Sequence, residues 1–335
     1  MRARPAPPSP ARRRVVTACA GALAAAAWRV RAQPRAAPLP RIGVLNFGPS
    51  PAPGDPPDPI VRYLAQQNYV AGSSVVLETR YAEGDRAAYV RLGRELLQQT
   101  PDVLFLPGSD IGGLLAELAP TIPVVFAISD DPVAGGVVPS LSRPGGRVTG
   151  VTHMSPELAP KRLQILREAV PGLARVAVLH DPDHPALYYR DLEIAARAAG
   201  VTLVSTPYRS IGDFPAAFEA ARHARAQAMF VEPDRATLAY AKRVAGLAIE
   251  RRMPAISAYD AFVRGDGLLS YGATANEILG RAAAQIDKIL HGTPPGELPV
   301  EQPVRFALVV NRRAADAMGL ALPRTLVLRA DEVIS

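Results

Sequence analysis

Arg41-Ile-Gly-Val-Leu-Asn-Phe47 recurs 134 residues later as Arg175-Val-Ala-Val-Leu-His-Asp181, and this repeat decides the fold. Three more segments recur in the same order. Asn68-Tyr-Val-Ala-Gly72, leading into Val75-Val-Leu77, matches Arg197-Ala-Ala-Gly200, leading into Val201 to Val204. Pro101-Asp-Val-Leu-Phe-Leu-Pro-Gly-Ser109 matches Ala226-Gln-Ala-Met-Phe-Val-Glu-Pro-Asp234. Ile122-Pro-Val-Val-Phe-Ala-Ile-Ser129 matches Met253-Pro-Ala-Ile-Ser-Ala-Tyr-Asp260. A period this long signals a duplicated half-molecule.

Each apolar run is short, rich in Val, Ile, Leu and Phe, and does not alternate with polar residues. It therefore reads as a strand buried on both faces, as in a parallel sheet. Helical periods lie between the runs, at Tyr89 to Gln99, Leu192 to Ala199, Phe214 to His223 and Leu238 to Arg252. Strand, helix, strand with short links makes right-handed parallel crossovers. The expected fold is α/β, with two similar doubly wound, Rossmann-like lobes of parallel sheet joined by a hinge. Lobe 1 is expected over 40–152 and lobe 2 over 153–275. Gly150 to Pro156 is the first crossing. A segment over 276–335 crosses back, part of it returning to lobe 1. It holds a helix from Asn276 to His291, ended by Gly292 and Pro294-Pro295.

The chain has 335 residues, with 38 Lys and Arg against 31 Asp and Glu. Seven of those cations and no acid lie in residues 1–32, so the remainder balances at 31 against 31. A neutral body argues against general nucleic-acid binding, which needs surplus cations to displace phosphate counterions. The single cysteine, Cys19, also lies in this leader. The rest has no disulfide framework, cysteine nucleophile or thiolate metal site. Five arginines precede the apolar run Val15 to Ala27, which is the form of a secretory signal and too short to span a bilayer. Residues 1–32 are expected to be cleaved near Ala32, leaving an exported, periplasmic protein. Arg12-Arg13-Arg14 leaves both the general and the twin-arginine export routes open.

In open α/β sheets the ligand lies beyond the carboxyl ends of the strands. Two such lobes facing each other form a cleft between their strand-end loops. In lobe 1 these loops supply Asn46 and Phe47, Gly108, Ser109 and Asp110, and Ser129 and Asp130. In lobe 2 they supply Asp181, Glu232 and Asp234, and Tyr259 and Asp260. Helix starts after the loops would favour a ligand carboxylate at Ser109 or Ser129. The loops carry acids and no Lys or Arg, which favours a ligand amine. Phe47 and Tyr259 suit a ring or an aliphatic body. Asp and Ser after a strand are also ordinary helix caps.

No catalytic constellation is visible. His180-Asp-Pro-Asp-His184 is interrupted by proline, so its histidines are not on one helical face. No GxxxxGK loop, GxGxxG turn or GxSxG elbow occurs at a suitable place. Neither a metal nor a cofactor is expected.

Ile122 to Gly150 (IPVVFAISDDPVAGGVVPSLSRPGGRVTG) resembles the periplasmic substrate-binding proteins of ABC transporters, in the group that includes tryptophan- and tyrosine-binding members. The resemblance continues through Pro156 to Leu163, Glu168 to Leu179, Gly267 to Gly272, Asp287 to Gly292 and Leu298 to Ile334. It implies a periplasmic-binding-protein type I fold and no enzymatic activity. It also implies that hinge closure captures a small amino acid, organic acid or amine, delivered by a monomer to the permease and ATPase subunits of an inner-membrane importer. The same lobes would also suit the ligand-binding sensor subunit of a separate signalling partner. Three segments depart from the family pattern: Gly108-Ser109-Asp110, which adds an acid; His180-Asp181; and Pro49 to Pro59, which is proline-rich and lacks the usual helix start.

Overall fold

A computed structural model describes residues 38–108, 111–128, 131–153, 158–183 and 187–335 of the chain. Within Pro40–Ser335 the apolar runs form two sheets. β1 (Arg41–Asn46), β2 (Val76–Tyr81), β3 (Val103–Pro107), β4 (Val124–Ile128) and β5 (Val148–Thr152) make a five-stranded parallel sheet in the order β2-β1-β3-β4-β5. β6 (Arg175–His180), β7 (Thr202–Pro207), β8 (Ala228–Val231), β9 (Ala255–Ser257) and β10 (Leu269–Gly272) repeat that order as β7-β6-β8-β9-β10. The repeat in sequence is thus a repeat in topology. The second sheet is longer by two strands. β11 (Ala307–Asn311) runs antiparallel to β10, and β12 (Glu332–Ile334) runs parallel to β11.

Non-alternating runs are explained by cover on both faces. On one face of the first sheet, Ile42, Val44, Val103, Phe105 and Val125 cluster with Ile60 and Leu64 of the helix Pro59–Gln66. The helix Ala275–Leu290 covers the same face through Ile278, Ala282 and Ile286. The other face carries Leu45, Leu104, Leu106 and Phe126. They cluster with Tyr89 and Leu96 of the helix Arg86–Gln98 and with Leu114 and Leu118 of the helix Ile111–Leu118. This cluster also includes Phe47 and, in the second lobe, Ala236, Leu179, Met229 and Phe218, so apolar packing is shared by both lobes. The outer face of the second sheet packs Val176, Val178, Phe230 and Ile256 with Leu163 and Leu166 of the helix Ala159–Ala169.

Three details differ from the sequence expectation. The proline-rich segment after β1 does end in a helix start. Asp58 caps the helix Pro59–Gln66, accepting from the Ile60 amide at 3.2 Å, and Pro59 takes the first helical turn, where its missing N–H costs nothing. β4 is not followed directly by a helix: Asp131 accepts from the Val133 and Ala134 amides and closes a turn. The long helical period before Arg252 divides at Tyr240 into the helices Arg235–Ala239 and Ala241–Glu250.

The chain passes between the sheets three times. It leaves β5 after Thr152, returns between Gly272 and the helix Ala275–Leu290, and crosses again ahead of β11. Before that last passage Glu301 is tied to β5, its amide donating to Gly150 and its carbonyl accepting from Thr152, both at 2.9 Å. The two lobes are thus joined by three backbone segments.

Candidate functional site

The carboxyl ends of the two sheets converge on a cavity of about 530 Å³. From the first lobe it takes Asn46 and Phe47 at the end of β1, Tyr81 of β2, Pro107 and Gly108 at the end of β3, Ala127 of β4 and His153 after β5. From the second it takes Arg235, Leu238 and Ala239 after β8, Tyr259 and Asp260 after β9 and Ala273 after β10. Pro49, Pro51, Pro56, Pro57 and Pro59 build one wall, and Ile278 and Leu279 close the hinge side. The lining is mainly apolar with a few polar groups, which is the composition of a small-ligand site.

Of the residues singled out in the sequence, Asn46, Phe47, Gly108, Tyr259 and Asp260 therefore share one cavity. Asp181 and Asp234 line a small adjoining pocket of about 20 Å³, together with Phe47 and Arg235. Asp181 pairs with Arg86 across the two lobes. Asp234 serves as a helix cap, accepting from the Thr237 amide at 2.8 Å and from the Tyr208 hydroxyl. Burial and that carboxylate together hold the Tyr208 hydroxyl well above its usual pKa. Glu232 is buried at 4% exposure inside lobe 2 and lines neither space. Ser109, Asp110, Ser129 and Asp130 lie outside the described residues. So does His184, while His180 contacts the Ser205 hydroxyl at 2.8 Å through Nε2.

Asp58, Tyr81, Arg235 and His153 also line the cavity and were not picked from the sequence. Asp58 accepts from the Asn46 side-chain amide, and burial raises its pKa against the lowering effect of both hydrogen bonds. Tyr81 stands close enough for burial, then the Asp58 charge, to raise its hydroxyl. Arg235 places its guanidinium 5.0 Å from the centre of the Phe47 ring and 6.0 Å from that of Tyr89. It supplies a cation one residue beyond a loop that carries only acids. His153 is 5% exposed, and its ring lies edge-on to Tyr259 at 5.2 Å between centroids. Desolvation, then the nearby Arg162 charge, lowers its pKa to about 3, so the ring is neutral at ordinary pH. Arg162 is itself fully buried and donates from Nε to the Tyr271 carbonyl at 2.7 Å. The Asp58-Pro59 dipeptide is a cap signal that points to the first of these residues. No local pattern marks His153, because its place depends on two lobes meeting.

The lobes meet closely. A Cβ on Gly108 would lie 2.8 Å from Cβ of Arg235, and one on Gly48 would lie 2.9 Å from Cβ of Ala239. Gly108 also has φ +112°, in the region that favours glycine. Side-chain-free positions on lobe 1 thus receive the helix Arg235–Ala239 of lobe 2.

A model of the ABC transporter substrate binding protein family matches residues 42–334. The chain is 18% identical over 306 residues to a tyrosine-binding protein of Clostridioides difficile, covering 87% of this chain and 85% of that one. A conserved domain protein of Vibrio cholerae superposes with TM-score 0.76 at 24% identity, covering 88% of this chain and 99% of that one. A Streptococcus ABC domain solved in complex with L-Trp superposes with TM-score 0.75 at 22% identity, covering 88% and 100%. These structural matches show the shared two-lobe fold. Among the described residues, no helix is long and apolar enough to cross a membrane. The match across nearly the whole two-lobe body places the chain in the family of ABC transporter substrate binding proteins, whose members bind small solutes and are in general extracytoplasmic and not enzymes.

Proposed function

We propose that this protein is the periplasmic solute receptor of an ABC importer. It takes an amino acid, or a small organic acid or amine, between its lobes and presents it to the permease. The observation that carries this reading is the cavity of about 530 Å³ formed jointly by both sets of strand ends. That size suits a ligand of amino-acid scale. Phe47 and Tyr259 offer faces for an apolar body, Asp58 and Asp260 offer negative charge for an amine, and Arg235 offers positive charge for a carboxylate. The aromatic amino acids named for two relatives belong to this class. Residues 1–32 serve as the export signal, 40–152 and 153–275 as the lobes, and 276–335 as the crossing segment.

Ligand contacts to both lobes favour the closed form, and closure reports occupancy to the permease. Micromolar affinity corresponds to about −8 kcal/mol, within reach of a few polar anchors and one buried apolar body. Calorimetric titration with the twenty L-amino acids and a set of small carboxylates and amines tests the reading. Saturable binding without conversion of the bound compound is expected. Turnover, or no binding across the whole set, contradicts it.

A further inference from the structure

The imidazole of His153 occupies an unusual position. It lies just past β5, where the chain first leaves lobe 1, and it lines the main cavity. It is 5% exposed, yet among the described residues neither Nδ1 nor Nε2 has a hydrogen-bond partner. The Ala273 carbonyl is near enough to influence the ring but not aligned to accept from it. Room for the ring is made by Gly272, where a Cβ would come within 3.1 Å of the imidazole Cε1. A neutral imidazole carries one N–H and one lone pair, and leaving both unmet in a buried place is costly. Buried polar side chains are nearly always satisfied, so an orphan on a cavity wall points to an external partner.

We propose that His153 is a specificity-determining contact, hydrogen-bonding an oxygen-bearing end of the solute, carboxylate or hydroxyl, at the hinge wall. This rests on the solute-binding reading above and goes beyond it by assigning the place and chemistry of one ligand group. Arg162 selects for oxygen. Arg162 is fully buried and near enough for its charge to act on the imidazole, and this positive field favours an electronegative partner and disfavours an ammonium. Tyr259, edge-on to the imidazole, limits how the ring turns and so fixes the direction of the bond.

The test uses the full chain and the twenty L-amino acids, each at millimolar concentration, as probes in a thermal-shift screen. The best-stabilising amino acid is then titrated into the wild type, His153→Phe and His153→Gln. Loss of one hydrogen bond to a buried group predicts roughly ten- to hundred-fold weaker binding by His153→Phe. His153→Gln, which keeps a donor and an acceptor, recovers part of that loss. Without ligand, His153→Phe melts at the wild-type temperature or above it, because an orphan polar ring has been replaced by an apolar one. A merely structural histidine would instead give a lower melting temperature. Binding by His153→Phe within three-fold of wild type overturns the assignment and leaves the solute-binding reading intact. If no amino acid stabilises the wild type, the screen is repeated with the small carboxylates and amines and the best of them is titrated in the same way; stabilisation by none of them overturns both.

Discussion

Acidification should destabilise this protein through His153 in a calculable way. The folded pKa is about 3 against an ordinary 6.5, because burial and Arg162 oppose the charged ring. The unfolded chain therefore binds a proton below about pH 6.5 that the folded chain does not take up until about pH 3. The stability held at neutral pH is lost as pH falls through that window. Between about pH 7.5 and about pH 5 the linkage removes about 2 kcal/mol, at 1.36 kcal/mol per unit of differential protonation. The assay is urea denaturation followed by far-ultraviolet circular dichroism at both pH values, on the wild type and on His153→Phe. His180 is shifted in the same direction, but it is present in both proteins and cancels in the difference. The wild type should lose about 2 kcal/mol more than the variant. Equal losses would mean that the ring is charged or solvated in the folded state, and the neutral-imidazole reasoning would be refuted.

Other expectations follow from the contacts between lobes. Gly108→Ala sets a Cβ 2.8 Å from Arg235 Cβ at a φ of +112°, so it should oppose closure by about 1–3 kcal/mol and weaken solute binding. Small-angle scattering should then show a larger radius of gyration; an unchanged radius and affinity would exclude steric control at this point. Arg86→Ala removes the pair with Asp181, and because Arg86 is 46% exposed the effect should be small, about 0.2–1 kcal/mol, and should vanish at high salt. Titrations at two ionic strengths check this. Tyr259→Ala should reduce affinity for the bound solute about ten-fold or more by removing an aromatic wall of the cavity; calorimetry showing no change would remove Tyr259 from the site.

The strands β1 and β6 show why the doubled plan was legible. Ile42 to Leu45 and Val176 to Leu179 are apolar without alternation because helices cover both faces of each sheet. That requirement acts locally, so it leaves its mark in consecutive residues. The cap at Asp58 was also local, but the surrounding prolines hid it. Arg235 and His153 left no such mark. One is the first residue of a five-residue helix, and the other is a lone histidine after a strand.

What the sequence determined by itself was the doubled α/β plan and the loops that end its strands, since these depend on residue type and spacing along one stretch of chain; the strand order came from the structure. The tertiary structure alone decided which of those loop residues share a cavity. Asp181 is drawn to Arg86, Asp234 is held by Thr237 and Tyr208, and Glu232 is buried, while Asn46, Phe47, Tyr259 and Asp260 line the common space with His153 and Arg235. The physical reason is that partnership and desolvation depend on groups brought together by the folded chain, such as Arg86 and Asp181, which lie 95 residues apart on different lobes.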